Sequence, residues 1–503
     1  MTRYLCVHGH FYQPPRENPW TGEIGIEKTA APFHNWNERI TEECYRPNAA
    51  PVVRLPDGSE RRFPSNYARM SFNFGPTLLA WLDRRAADVS REIRRADRES
   101  RDRFGGHGSA IAQAYNHMIL PLASPRDRWT QVYWGIRDFE HRFGRSPEGL
   151  WLPETAVDLA TLEVLAGQGI RFTILAPEQA ARVRAIGEPE WTDVSGARID
   201  PRRAYEARLP SGRRIAIFFY DGGASHAIAF GALAEGGEGF ARRLASLAAD
   251  VPGDQLLHVA TDGETYGHHH RGGEIALAEG LDELVRSGFA RLTNYGEFLS
   301  LHPPAFEVEI VENTAWSCAH GLGRWRDDCT CRTGLHPGWV QVWRGPLRDA
   351  LDRLRDDLAA VFEDRGARIF SDPWAARDAS IAVVLDPSTD AFDDFLSRHA
   401  AAPVDASLGR DAGRLLEMQR HAMLMYTSCG WFFDDPGGLE TTQILRYAAR
   451  AIELCPDDAR GPIEAEFLRR LDGVASNDPE AGSGRRIYES SAGERRDLAA
   501  AGG

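Results

Sequence analysis

The chain has 503 residues, 43% of them hydrophobic and 26% charged, and a formal net charge of −14. These values describe an ordered globular protein with room for one catalytic-sized domain and a smaller one. The acidic balance excludes general nucleic-acid binding, which needs a surplus of basic groups, and the single lysine, Lys28, excludes phosphate-cradling lysine chemistry.

No segment approaches ~18 uninterrupted apolar residues, and no charged leader precedes a long apolar run, so a cytoplasmic protein without a membrane partner is expected. Seven scattered cysteines suit a reducing compartment.

In chain order, YLCVHGH (4 to 10) reads as a buried parallel strand ending in polar residues. Residues 83 to 104 read as a charged helix with a solvated face. GLWLPE (149 to 154), FTILAP (172 to 177), RIAIFFYD (214 to 221) and LLHVATDGE (256 to 264) repeat the strand pattern. Helical periodicity over 157–169 and 272–288 lies between or after them. The alternation implies an α/β barrel or a doubly wound sheet, with the site at the carboxyl ends of the strands, where Glu154, Asp221, Asp262 and Glu264 fall. Amphipathic helices over 345–367 and 439–455 predict a helical C-terminal region, and the polar tail from 477 is expected to be mobile.

Two acids projected from different strand ends suit glycoside cleavage, in which one attacks the anomeric carbon and the other protonates the leaving oxygen. Five ordered motifs carry a resemblance on this point. They are HGHFYQPPRENPW, with His8, His10, Gln13 and Pro14; AYNHMILPLA, with His117; GLWLPETA; FFYDGGAS; and ATDGETYGHH. Together they resemble glycoside hydrolase family 57.

The resemblance implies a (β/α)7 barrel over 1–305 and a retaining, metal-free mechanism on α-glucans or oligosaccharides, of amylase or glucanotransferase type, without a cofactor. Glu154 would be the nucleophile and Asp221 the general acid/base. His10, Gln13, His117, Trp151, Asp262, Glu264 and His269 would contact sugar. It further implies a helical region over 346–475 that helps close the cleft, with Trp431 and Asp434 of TSCGWFFDD (427 to 435) as contacts. The remainder, 476–503, is the tail expected to be mobile.

Residues 306–345 are ambiguous. Cys318, His320, Cys329 and Cys331 offer a Cys3His zinc set, though C-x-H followed by C-x-C is not a familiar finger spacing. Alternatively, Trp316, Trp325, Trp339 and Trp343 form an aromatic wall for a sugar chain. The sugar wall is the preferred expectation, with Trp316 and Trp325 as contacts and no bound metal. Two other functions compete. One is a metal-dependent carbohydrate hydrolase using His8, His10, Asp262 and the histidines at 268 to 270. The other is a catalytically silent glycan-binding protein.

Overall fold

The computed structural model describes residues 1–55, 57–334 and 336–491. They form two compact units, the first comprising Met1–Pro15, Gly25–Tyr115 and Phe139–Trp316. The second comprises Arg16–Ile24, Asn116–Asp138 and the chain from Ser317 onward.

The first unit is α/β. Its strands include β1 (Arg3–Phe11), β2 (Ser71–Phe74), β3 (Ala112–Gln113), β4 (Leu150–Trp151), β5 (Phe172–Leu175), β6 (Arg214–Phe219) and β7 (Gln255–Asp262). β1 runs parallel to β7, with His10 opposite Asp262, and parallel to β2, with His10 opposite Asn73. β3 pairs with β4 and β5 with β6, again in parallel. The apolar strand runs therefore arise because both strand faces are covered. Ala204–Arg208, Phe306–Ile310 and Ala180–Ala185 extend the β5–β6 sheet on the far side of β6.

Two local signals stop the elements where the motifs begin. β4 is only two residues long, because Pro153 has no N–H for a ladder and Glu154 turns into the left-handed region (φ 57°, ψ 21°). The helix Leu159–Gly167 starts at Asp158, whose side chain accepts from the Thr161 N–H at 2.7 Å.

The charged segment near 83–104 differs from expectation. It is broken at Ala86 into Pro76–Arg85 and Ala87–Arg103, and the second helix buries Val89, Ile93, Ala96, Asp97 and Ser100. Asp97 accepts from Arg145 at 2.7 and 3.0 Å and from the Ala110 N–H at 2.9 Å. Polar residues satisfied by partners outside the helix disguise a buried face in the sequence.

The second unit is mainly helical, with Arg344–Gly366, Ala406–Leu424, Leu439–Leu454 and Asp457–Leu471 as its long helices. Two segments expected in the catalytic domain belong here instead. Trp20 Nε1 donates to Glu453 at 2.6 Å, and buried Arg377 pairs with Asp127 at 2.7 Å. The tail is packed as far as 491, through a helical segment whose Tyr488 meets Phe467 edge-on at 5.4 Å. Residues 492–503 lie outside the described residues. Among the described residues, no helix is long and apolar enough to cross a membrane.

Candidate active site

The end of β1 sets up a pair of neutral imidazoles. His8 is fully buried, with Nδ1 3.0 Å from Ser71 Oγ and Nε2 3.1 Å from Asn73 Oδ1. Asn73 Nδ2 donates to His10 Nδ1 at 2.8 Å and to Gln113 Oε1 at 2.7 Å. With its amide so oriented, Asn73 makes Nε2 the protonated nitrogen of His8 and also of His10. Burial, and for His8 the neighbouring His10, pushes both imidazoles down to about 3, so both are neutral near pH 7. Trp151, fully buried, stacks beneath both at 4.8 and 5.1 Å.

Glu154 is held by its backbone and by one indole. Glu154 and Thr155 both take positive φ (57° and 51°), a conformation that costs energy in non-glycine residues and persists where surrounding contacts impose it. Trp316 supplies such contacts. Its backbone N–H donates to Glu154 O at 3.0 Å, and its Nε1–H donates to Glu154 Oε2 at 3.0 Å. The Trp316 ring also meets Trp151 edge-on at 5.1 Å and Tyr220 at 6.3 Å. An N–H bond to a carboxylate is charge-assisted when the acid is ionised, and so stronger than a neutral one. Trp316→Phe, which removes that donor but keeps a ring, is expected to lower kcat roughly 10- to 100-fold with a smaller change in KM, measured by steady-state kinetics.

Asp221 follows β6 and caps the helix Gly222–Phe230, accepting from the Ala224 N–H at 2.8 Å through Oδ1. Its own N–H donates to His258 O at 3.1 Å. Asp262, at the end of β7, has an exposed outer surface while protein crowds it from within. Desolvation on the crowded side and then the charge of Glu154 push its carboxyl up to about 7. The strand-end acids Glu154 and Asp262 thus sense each other electrostatically.

Glu264 is buried, and its Oε1 accepts from the Tyr45 hydroxyl at 2.6 Å and the Tyr12 N–H at 3.1 Å. Burial pushes it up to about 8, so near pH 7 it is mostly neutral. A carboxyl raised in the folded state stabilises the fold fully below its unfolded value near 4.5, and that contribution is lost as pH rises through about 8. Glu264→Gln, which retains the acceptor, should therefore flatten the fall of Tm between pH 5 and about pH 8. An unchanged Tm profile in the variant would contradict the buried neutral acid.

The three consecutive histidines diverge. His268 Nδ1–H donates to Glu43, and His270 Nε2–H donates to Ala229 O at 2.8 Å. His269 is exposed on its outer side, and crowding from within followed by the two flanking histidines lowers it to about 4. His8 is engaged at both ring nitrogens, and His268 and His270 each turn to a different partner, so these three are not arranged as ligands of one metal. Gln13 is half-buried and donates to Tyr12 O at 2.9 Å.

The remaining expected contacts lie in the second unit and are buried. His117, at φ 55°, has Nδ1 2.6 Å from Ser428 Oγ. Trp325 and Trp431 are fully buried, and their indole N–H groups donate to Ser428 O at 3.2 Å and Arg344 O at 3.3 Å. Trp343 is also fully buried. Asp434 accepts from the Thr333 N–H and hydroxyl at 2.8 and 2.6 Å. Of the four tryptophans of the expected aromatic wall, Trp325 and Trp343 are interior packing with their faces already covered by protein, whereas Trp316 and Trp339 are half-buried. Sequence reasoning missed Asn73 and Tyr45. An asparagine inside the buried run SFNF was the available signal for Asn73, since buried amides require partners.

Strand-end carboxylates beside neutral imidazoles and indoles give the first unit the chemistry of a sugar-processing enzyme. The profile of glycosyl hydrolase family 57 matches residues 4–310, more than half of the chain, and the chain belongs to that family. A domain of unknown function, DUF3536, matches residues 339–496. No curated protein matches the chain.

Solved structures share the fold at low identity. An exo-type maltose-forming amylase from Pyrococcus sp. ST04 is 16% identical with a TM-score of 0.70, over 98% of this chain and 88% of that one. A GH57-type branching enzyme from Pyrococcus horikoshii is 16% identical with a TM-score of 0.54, over 92% and 94%. The α-amylase AmyC from Thermotoga maritima is 12% identical with a TM-score of 0.53, over 97% and 99%.

Proposed function

We propose that the chain is a retaining α-glucan-active glycoside hydrolase or transglycosylase working by double displacement. Glu154 attacks the anomeric carbon to form a covalent glycosyl-enzyme. Asp221 protonates the departing oxygen, then deprotonates the water or sugar that releases the intermediate. The observation that carries this reading is Glu154 itself, a strand-end carboxylate in a left-handed backbone turn with an indole N–H on one oxygen. The amylase and branching-enzyme relatives motivate the choice of α-glucan.

His10, Gln13, Asp262 and His269 are the proposed sugar contacts at the strand ends. Trp151 and Glu264 act from beneath, by supporting the imidazoles and the loop after β7. His117, Trp325, Trp431 and Asp434 hold the helical unit together through their internal partners.

A (β/α)7 barrel suits the first unit. The parallel pairs β7–β1–β2, β3–β4 and β5–β6 are linked by the bridges Phe72↔Ala110 and Gly149↔Phe172, and the Asp221 N–H bond to His258 O joins the end of β6 to β7. A reducing, cytoplasmic setting suits seven free cysteines.

The test is incubation with a panel of α-glucans and maltooligosaccharides, followed by NMR of the first product formed. The expected result is an α-configured product. A β-configured first product, or no turnover of any α-glucan, would overturn the proposal.

A further inference from the structure

Cys318, His320, Cys329 and Cys331 lie in the second unit, in the stretch between the strand Phe306–Ile310 and the helix Arg344–Gly366. Their donor atoms all lie within 4.8 Å of one another, and this is the one such metal-ligand group found among the described residues. The individual separations are informative. Cys318 Sγ is 4.0 Å from Cys329 Sγ and 3.8 Å from Cys331 Sγ, and Cys331 Sγ is 3.5 Å from His320 Nδ1.

A tetrahedral zinc ion with ordinary Zn–S and Zn–N bonds separates its ligand sulfurs by about 3.8 Å and a sulfur from a nitrogen by about 3.6 Å. The observed spacings match those edges. They are far beyond the S–S bond length of about 2.0 Å, and all three cysteines are free thiols.

We propose that these four side chains form a structural Cys3His zinc site. Its four protein ligands leave no open position, so the ion would act on the fold and take no part in glycoside chemistry. Three thiolates and one imidazole select zinc over the harder cations, which prefer oxygen ligands.

The surroundings suit an anionic metal–thiolate centre. The Arg324 N–H donates to Cys318 Sγ at 3.4 Å, and fully buried Arg344 places Nη1 3.7 Å from Cys329 Sγ and 2.8 Å from Cys331 O. One backbone donor and one guanidinium therefore offset the net negative charge that three thiolates leave on a divalent ion. The turn between the ligand pairs is tight. A Cβ on Gly323 would lie 3.1 Å from Cys329 Cβ, closer than side chains normally approach.

A metal also answers a structural need. Between the short turn Gly323–Trp325 and the helix at Arg344, none of the described residues lies in a regular element, and long connections of that kind require other ties. This loop starts from Trp325, whose indole donates to Ser428 O, and carries Thr333, whose hydroxyl and N–H hold Asp434. Ordering it would therefore fix the packing of the 428–434 segment.

The experiment is metal analysis of full-length protein purified without chelator, with thiol titration by a mercurial while zinc release is followed by a chelating dye. About one zinc per chain is expected, released as three thiols react. Cys331→Ser and His320→Ala should each lower the zinc content to below about a tenth per chain, whereas Cys429→Ser should retain it. Cobalt substitution keeps the test sharp if a cysteine variant fails to fold, because a tetrahedral thiolate-rich site gives intense visible and charge-transfer absorption. That spectrum should vanish in His320→Ala, whose exposed side chain is dispensable for packing. Protein with seven titratable thiols and no zinc, a Cys318–Cys329 or Cys318–Cys331 disulfide in peptide mass spectra, or full zinc content in both ligand variants would each overturn the proposal.

Discussion

Glu154→Gln is expected to lower kcat on α-glucan by a factor on the order of 10^4 or more, with oligosaccharide affinity changed little. The amide cannot form the glycosyl-enzyme. It can still accept from Trp316 Nε1 and occupy the same volume, so the fold and the ground-state contacts persist. The left-handed backbone at this position adds a second route. Glycine takes φ near 57° without strain, so Glu154→Gly should fold and leave space for a small external nucleophile. Azide added to that variant should restore turnover and yield a glycosyl azide of inverted configuration, identified by NMR. Wild-type turnover in Glu154→Gln would remove the nucleophile assignment, whatever the glycine variant did.

Asp221→Asn should depend on the leaving group. On natural glucan, loss of the proton donor is expected to slow glycosylation by roughly 10^2- to 10^4-fold. On an aryl glycoside with an acidic phenol the same step should be slowed far less, because little protonation is required. The asparagine oxygen can still accept from the Ala224 N–H, so the cap on Gly222–Phe230 survives and a general folding defect is not expected. The measurement is kcat/KM for both substrates across pH. Equal losses on glucan and aryl glycoside would argue for a positioning role instead.

How far the site is legible in the sequence depends on the range of the interactions involved. Glu154, Asp221 and Asp262 can be placed from the chain because strand termination is local. Pro153 ends β4, Asp221 caps the next helix, and Asp262 closes an apolar run. The histidine run 268 to 270 misleads for the opposite reason. Consecutive residues suggest one centre, but His268 finds Glu43, and His270 finds a backbone carbonyl of the helix Gly222–Phe230. The cysteine and histidine set differs between sequence and fold. An unfamiliar spacing argues against a metal, while the turn at Gly323 brings the four donor atoms together.

By itself, the sequence determined the alternation of buried strands and helices, the helical C-terminal region and the strand-end positions of the carboxylates. Hydrophobic periodicity, capping and proline chemistry act within a few residues. Only the tertiary structure decided that 16–24 and 116–138 join the helical unit, that Trp325 and Trp431 are interior, and that Asn73 orients two imidazoles. Each of those depends on partners tens to hundreds of residues away. Side-chain convergence over that range is set by how the whole core packs, and no local pattern encodes it.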